Sequence, residues 1–280
     1  MATVAEKRRI FRALHDNGCF VLPNPWDVGS ARYLENLGFK ALATTSAGAA
    51  WSLGFADGAV PLEVMLDHIR AVVEATELPV NADFLAGFAE APGDVAANVG
   101  RCVDIGVAGL SIEDATGNAA EPLFDFALAV ERIAAARSVI DAAGGDVLLV
   151  ARAECFLTGH PDPLDEAIRR LIAFAEAGAD CLYAPGARTI EDISAIVEAV
   201  APKPVNVLAR NLDGLTVGQL AALGVRRISV GGALARMAWA GVMRAAREIA
   251  ETGSFAAFEG AASGAELDRL FAADPLRRAP

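Results

Sequence analysis

One pattern runs through most of the chain and limits its fold more than any other: short apolar, β-branched runs alternate with longer helical stretches. The runs are Cys19–Pro23, Ala41–Thr45, Pro79–Phe84, Gly109–Asp114, Val147–Glu154, Cys181–Pro185, Pro204–Ala209 and Arg227–Gly231. Strands this apolar have to be buried on both faces, which is the condition of a parallel sheet built from βαβ units. Eight of them in 280 residues is the count of a (β/α)8 TIM barrel, with a doubly wound α/β sheet as the alternative architecture.

The joints between units repeat as well. Leu37-Gly38-Phe39, Ile105-Gly106-Val107 and Leu223-Gly224-Val225 share an apolar-Gly-apolar turn, and Ala177-Gly178-Ala179 is a close relative. In each, a glycine is placed to end a helix in the left-handed region before the next strand starts. There is no solenoid period and no low-complexity linker, so one domain is expected. Residues 1–254 form the barrel with an amphipathic N-terminal helix within Met1–Asp16, and residues 255–280 a C-terminal helical extension of the same domain. In that extension a Gly/Ala-rich break near Ala261–Ala265 precedes an amphipathic segment, Glu266–Ala272.

Composition narrows the function classes. The net charge of −12 argues against a nucleic-acid surface and against anionic lipid, both of which need a basic face. Although 54% of residues are apolar, no stretch reaches the ~20 uncharged residues of a spanning helix, so a soluble chain with no membrane partner is expected. Cys19, Cys102, Cys155 and Cys181 lack C-x-x-C spacing, which fits neither a disulfide framework nor a zinc site and points to a reducing, cytoplasmic setting. The start of the chain lacks the apolar run of a signal peptide.

In a parallel barrel the chemistry sits at the C-terminal strand ends. Here these read Thr44-Thr45-Ser46-Ala47-Gly48, Asn81-Ala82-Asp83, Glu113-Asp114 and Arg152-Ala153-Glu154. Alternation puts Asn81 and Asp83 on one face. Acidic oxygens converging without a His or Cys cluster suit a hard cation, Mg²⁺ or Mn²⁺, and His15, His68 and His160 form no zinc motif. Each acid has a plainer reading, as a helix cap or as the partner of an arginine. Arg152 is either a carboxylate clamp or the structural partner of Glu113 or Glu154. Cys155 reads as a buried small hydrophobe, Gly231-Gly232 as a turn or a phosphate cradle, and the three tryptophans as packing residues.

Taken in order, a set of short motifs resembles the isocitrate lyase/phosphoenolpyruvate mutase superfamily over nearly the whole chain. The carriers are Pro25-Trp26-Asp27-Val28-Gly29-Ser30-Ala31-Arg32, Gly38-Phe39-Lys40-Ala41 leading to Thr45-Ser46, and Leu53-Gly54-Phe55-Ala56-Asp57. They continue in Pro79-Val80-Asn81-Ala82-Asp83, Gly106-Val107-Ala108-Gly109 leading to Ile112-Glu113-Asp114, and Val150-Ala151-Arg152-Ala153-Glu154. The resemblance implies a barrel whose last helix is exchanged between subunits of a homodimer or homotetramer. It also implies Mg²⁺ at the mouth, and cleavage or formation of a C–C or P–C bond beside an α-oxo acid through a metal-held enolate. Carried over by position, Asp57, Asp83 and Glu113 hold the metal or its waters and Arg152 binds the substrate's acidic group. The turn of Thr45, Ser46 and Ala47 holds the oxo acid's carboxylate.

Two positions depart from the superfamily's pattern. Asn81 stands where an Asp is usual, though an amide oxygen can still ligate Mg²⁺ or bond its water. The loop Ala115–Pro122 has no Lys, Cys or His, which argues against isocitrate or methylisocitrate cleavage by the usual route and leaves Asn118 as its best polar contact. The expected function is a Mg²⁺-dependent lyase or decarboxylase that cleaves a C–C bond beside the carbonyl of a small α-oxo or hydroxy acid. The alternatives are phosphonopyruvate mutase or hydrolase chemistry at a P–C bond, and a catalytically degenerate barrel that binds an oxo acid.

Overall fold

All eight runs form strands, each shorter than the apolar run that announces it. In the computed structural model, which describes residues 2–210, 212 and 214–272, the chain begins with α1 (Val4–Leu14), β1 (Phe20–Leu22) and α2 (Val28–Asn36). There follow β2 (Leu42–Ala43), α3 (Ser46–Ser52), α4 (Leu62–Glu74), β3 (Val80–Asp83), α5 (Pro92–Asp104), β4 (Gly109–Glu113) and α6 (Phe126–Ala142). The second half runs β5 (Leu148–Arg152), α7 (Pro163–Glu176), β6 (Cys181–Tyr183), α8 (Ile190–Val200), β7 (Val205–Leu208), α9 (Val217–Ala222) and β8 (Arg227–Ser229). After α10 (Ala233–Thr252) come a 3₁₀ turn at Ala256–Phe258 and α11 (Gly264–Ala272). The second run stops short because Thr45 turns its hydroxyl to the Gly48 N–H and caps α3.

Every ladder is parallel, in the order β1-β8-β7-β6-β5-β4-β3-β2, and the Ala43 N–H donates to Pro23 O at 3.1 Å across the remaining seam. The result is a nearly closed (β/α)8 barrel. Alternation divides its apolar residues into two cores. On β5, Leu149 and Ala151 face the helices and pack with Leu171 and Phe174, whereas Leu148 and Val150 face the barrel axis with Leu22, Ala43 and Cys181. Gly38, Gly106, Gly178 and Gly224 end their helices at φ +86°, +96°, +104° and +87°.

The lower end of the barrel is plugged by α1. Phe11, fully buried, enters the interior, and His15 sits edge-on to Phe11 and Phe20 at 4.8 and 5.1 Å, its Nδ1 2.8 Å from Phe11 O. Burial drives the His15 pKa down to about 3, so the ring is neutral. This close fit is why residue 109 is glycine: a Cβ there would lie 2.7 Å from the Phe11 ring, 2.9 Å from Asn81 Oδ1 and 3.0 Å from Leu148 O.

The C-terminal region is less well covered. Of the 20 residues of α10 only Ala235 is buried, and Met237, Val242 and Met243 on it are exposed, as are Phe255 and Phe258 beyond it. The expected terminal helix is α11, which rests on the start of the chain's own α2, with Phe271 next to Gly29. Residues 273–280 of the expected extension lie outside the described residues.

Candidate active site

The ladder register sets Asp83 beside Ser111, Glu113 beside Arg152, and Arg152 beside Tyr183, so the three charged groups reach the mouth at neighbouring levels. Their contacts are close. Arg152 Nη1 donates to Asp83 Oδ1 at 2.9 Å, and Nε and Nη2 both reach Glu154 Oε1, at 2.9 and 2.7 Å. Glu113 Oε2 lies 2.9 Å from the same Nη1, yet no N–H points at it, and this buried oxygen has no hydrogen-bond partner. The guanidinium also lies 5.2 Å from the centre of the Tyr183 ring.

The second oxygen of Asp83 is held from the other side. Ser46, first in α3, donates both its backbone N–H and its hydroxyl to Asp83 Oδ2, at 2.9 and 2.8 Å, while the Asp83 N–H donates to Thr44 Oγ1. The turn that was expected to take a substrate carboxylate thus already holds a carboxylate, that of Asp83. Gly48 lets this turn sit close to its neighbours, since a Cβ there would meet Trp26 Cβ at 2.9 Å.

Around this pair the supporting charges are ordered by burial. Asp114 points away from the mouth, bonding the Glu154 N–H at 2.8 Å and Arg170 at 3.1 Å, so it takes the structural role of an arginine partner. Leu85 and Phe88, at φ +48° and +57°, are strained, and the buried Arg132 clamps their turn by bonding the carbonyls of Ala86, Ala89 and Glu90. That turn in turn seats β4, because Leu85 O accepts from the Glu113 N–H at 3.0 Å.

A cavity of about 160 Å³ runs from Asp57, Thr45 and Ala47 at the rim, past Asp83 and Arg152, to Asn81 and Arg227 at its floor. Asp57 is on an exposed loop; partial desolvation, followed by the charge of Asp83, raises its pKa. Asn81 shares the Asp83 face but is buried deeper. Asn118 is elsewhere: its Oδ1 accepts from the Ala120 N–H within its own loop, and it lines a second cavity, of about 590 Å³, on the far side of Glu113. The Gly231 N–H, with that of Val230, donates to Asn24 Oδ1 at 2.8 Å, which ties this turn to the loop after β1, and both Gly231 and Gly232 line the cavity.

Residues that sequence reasoning did not assign to the site are Glu154, Tyr183 and Arg227. The strand period could have found them: Glu154 is two residues after Arg152, and Tyr183 and Arg227 occupy inward positions of β6 and β8.

The donor set suits a hard cation in charge and atom type. Asp83, Glu113 and Glu154 gather around one guanidinium, with Asp57 at the rim; burial first, and then mutual repulsion against the pull of Arg152, raises the pKa values of Glu113 and Glu154. The orphaned Glu113 Oε2 and the spare lone pairs of Asp83 are the atoms such an ion would use. The acids are drawn in on Arg152, however, and among the described residues no three acidic groups are spread as an open cage. A cation shared by Asp83 and Glu113 would compete with Arg152 Nη1, which lies 2.9 Å from an oxygen of each.

The chain is similar to several known proteins. Residues 11–250 match the family described as phosphoenolpyruvate phosphomutase. An uncharacterized Mycobacterium tuberculosis protein is 34% identical over 79% of this chain and 81% of its own length. The 2-methylisocitrate lyase of Escherichia coli K12 is 32% identical over 53% of this chain and 51% of its own. Among solved structures, a Burkholderia cenocepacia J2315 protein provisionally described as a lyase/mutase superposes with TM-score 0.91 at 47% identity, covering 96% of this chain and 97% of that one. A phosphonopyruvate hydrolase in complex with oxalate and Mg²⁺ gives 0.83 at 25%, with 95% of each chain covered.

Removing the central cation tests the balance of charge. Arg152→Met leaves buried carboxylates unpaired and should lower metal-free stability by about 3 kcal/mol. Millimolar MgCl₂ should then raise the melting temperature of the variant more than that of the parent, whose own guanidinium competes for the same oxygens. Equal shifts in the two proteins, read by scanning calorimetry against an EDTA control, would show that Mg²⁺ and Arg152 do not share partners.

Proposed function

The chain belongs to the phosphoenolpyruvate phosphomutase family, in a superfamily of lyases and mutases acting on oxo acids, and on that premise we propose that it is a Mg²⁺-dependent carbon–carbon lyase or decarboxylase. Its substrate is a small α-oxo or hydroxy carboxylic acid, cleaved beside the carbonyl. The observation that carries this reading is the convergence of Asp83, Glu113 and Glu154 on Arg152 at the mouth of the barrel, with one Glu113 oxygen left without a partner. A related structure that holds oxalate and Mg²⁺ supports it.

Each residue then has a part. Asp83 and Glu113 hold the cation, Asn81 stands beneath them, and Asp57 at the rim orders water. Bound there, Mg²⁺ or Mn²⁺ would supply Lewis-acid stabilisation of the negative charge that develops as the neighbouring bond breaks. Arg152, once it releases Asp83 and Glu113, presents a forked donor set to a carboxylate. Ser46 keeps Asp83 aligned, and Thr45 and Ala47 line the wall against which the near end of the acid lies. Asn118 can serve only from the second cavity, through a movement of its loop. Carbon–carbon chemistry is favoured over the P–C alternative because neither the cavity lining nor the loop Ala115–Pro122 carries a lysine to assist phosphoryl chemistry.

The assembly we propose is a homodimer or homotetramer in which the segment from Phe255 onward meets a neighbouring subunit. Its support is the exposed apolar side chains of α10 and of Phe255 and Phe258. The cytoplasm is the proposed setting, in keeping with four free cysteines among the described residues.

Two measurements follow. With oxaloacetate, phosphonopyruvate and related acids as substrates, product should form with Mg²⁺, stop with EDTA, and fall about 100-fold or more in Asp83→Ala with the fold retained. Calorimetric binding of an acid without any product from the set would establish the degenerate-barrel alternative instead. Deleting residues 255–280 should convert the oligomer to monomers or aggregates in light scattering, and an unchanged particle mass would remove this segment from the interface.

A further inference from the structure

One buried cation is left unused by this account. Arg227, first in β8 and 2% exposed, points into the barrel at the floor of the same cavity. Its Nε donates to Asn206 Oδ1 at 2.8 Å and its Nη1 to Asn81 Oδ1 at 3.4 Å, while Asn206 donates on to Ser229 Oγ at 3.0 Å. After burial, the groups that bear most on its charge are Cys181, Tyr183 and Arg152, with His15 also near, and none of these is a carboxylate. Burial raises the pKa values of the first two, so both are neutral at ordinary pH, and His15 behind them is neutral as well.

A guanidinium taken out of water with only amide oxygens for company is a costly arrangement. It offers five N–H donors, and the two bonds above use two of them. An Asp at position 81 would neutralise Arg227 within the protein, whereas Asn81 leaves the positive charge facing the cavity. Arg152 stands above it, but three carboxylates already face that guanidinium, so the positive charge left without a counter-ion on this small space is that of Arg227. A carboxylate at the floor supplies it.

We propose that Arg227, with Asn81, Asn206 and Ser229, forms an anion subsite at the cavity floor that takes the distal carboxylate of a short dicarboxylic oxo or hydroxy acid. The inference rests on the reading of this cavity as an oxo-acid site and narrows its substrates to dianions. Spacing supports it. Asn81 lies two residues before Asp83 on β3, about 6.6 Å along a parallel strand, which is the reach of a short diacid whose other end is at the mouth. Asn81 is accordingly a specificity residue that keeps Arg227 available, and its amide does not compete for the cation.

The test is calorimetric titration of the intact protein with malate and with lactate, which differ in the distal carboxylate, each with Mg²⁺ and in metal-free buffer. The parent should bind malate at least tenfold more tightly than lactate in both buffers. Asn81→Asp supplies an internal counter-ion, so it should abolish that preference while the melting temperature holds or rises; Arg227→Gln should abolish it too. A preference that survives in Asn81→Asp, or that is absent from the parent, overturns the subsite. Failure of the metal-dependent reading has a different signature, in which the preference persists but Mg²⁺ leaves the affinity for both acids unchanged.

Discussion

A guanidinium buried at the end of an apolar strand must be neutralised, and in this chain that requirement organises the mouth of the barrel. Arg152 draws Asp83 from β3, Glu113 from β4 and Glu154 from beyond β5 onto one point. The partners are unequal. Glu154 receives one N–H bond and a second close ion-pair contact, Asp83 one N–H bond, and Glu113 only proximity. The cluster is therefore held together by a cation while still carrying more negative charge than that cation can balance, which is the state of a site ready to exchange one positive partner for another.

The rest of the fold sustains this unevenness. Asp83 has a hold independent of Arg152: Ser46 grips its second oxygen from the start of α3, and Thr44 accepts from its backbone N–H. Glu113 is set by the strained turn at Leu85–Phe88, which Arg132 holds from α6. From below, the Phe11 plug and Gly109 close the barrel tightly enough that the cavity ends at Arg227 and Asn81. Two cations at its two ends and a carboxylate ring at the upper one make the space polar along its length, suited to a small acid and poorly suited to an apolar ligand.

Much of this was legible in the residue order. The eight strands could be read because a buried parallel strand shows itself as an apolar run, and the strand-end rule led to Asp83, Glu113 and Arg152. What could not be read was pairing across strands. Periodicity places Arg152 at a strand end but does not say that its bonds go to Asp83 and Glu154, and it placed the Ser46 turn without showing that Asp83 fills it. Asn118 was chosen for its chemistry, yet loop hydrogen bonds decide where it sits. The partner of Asn81, Arg227, is 146 residues away in sequence, and no local pattern points to it.

In the function we propose, the carboxylates now gathered on Arg152 are the ones that hold the cation, and Arg152 turns to the substrate. A crystal structure of the protein with Mn²⁺ and oxalate is the sharpest check. Mn²⁺ is expected between Asp83 and Glu113, with Arg152 withdrawn from both and bonded to oxalate. Mn²⁺ bound elsewhere, or bound with the contacts of Arg152 to Asp83 and Glu113 intact, would overturn this reading.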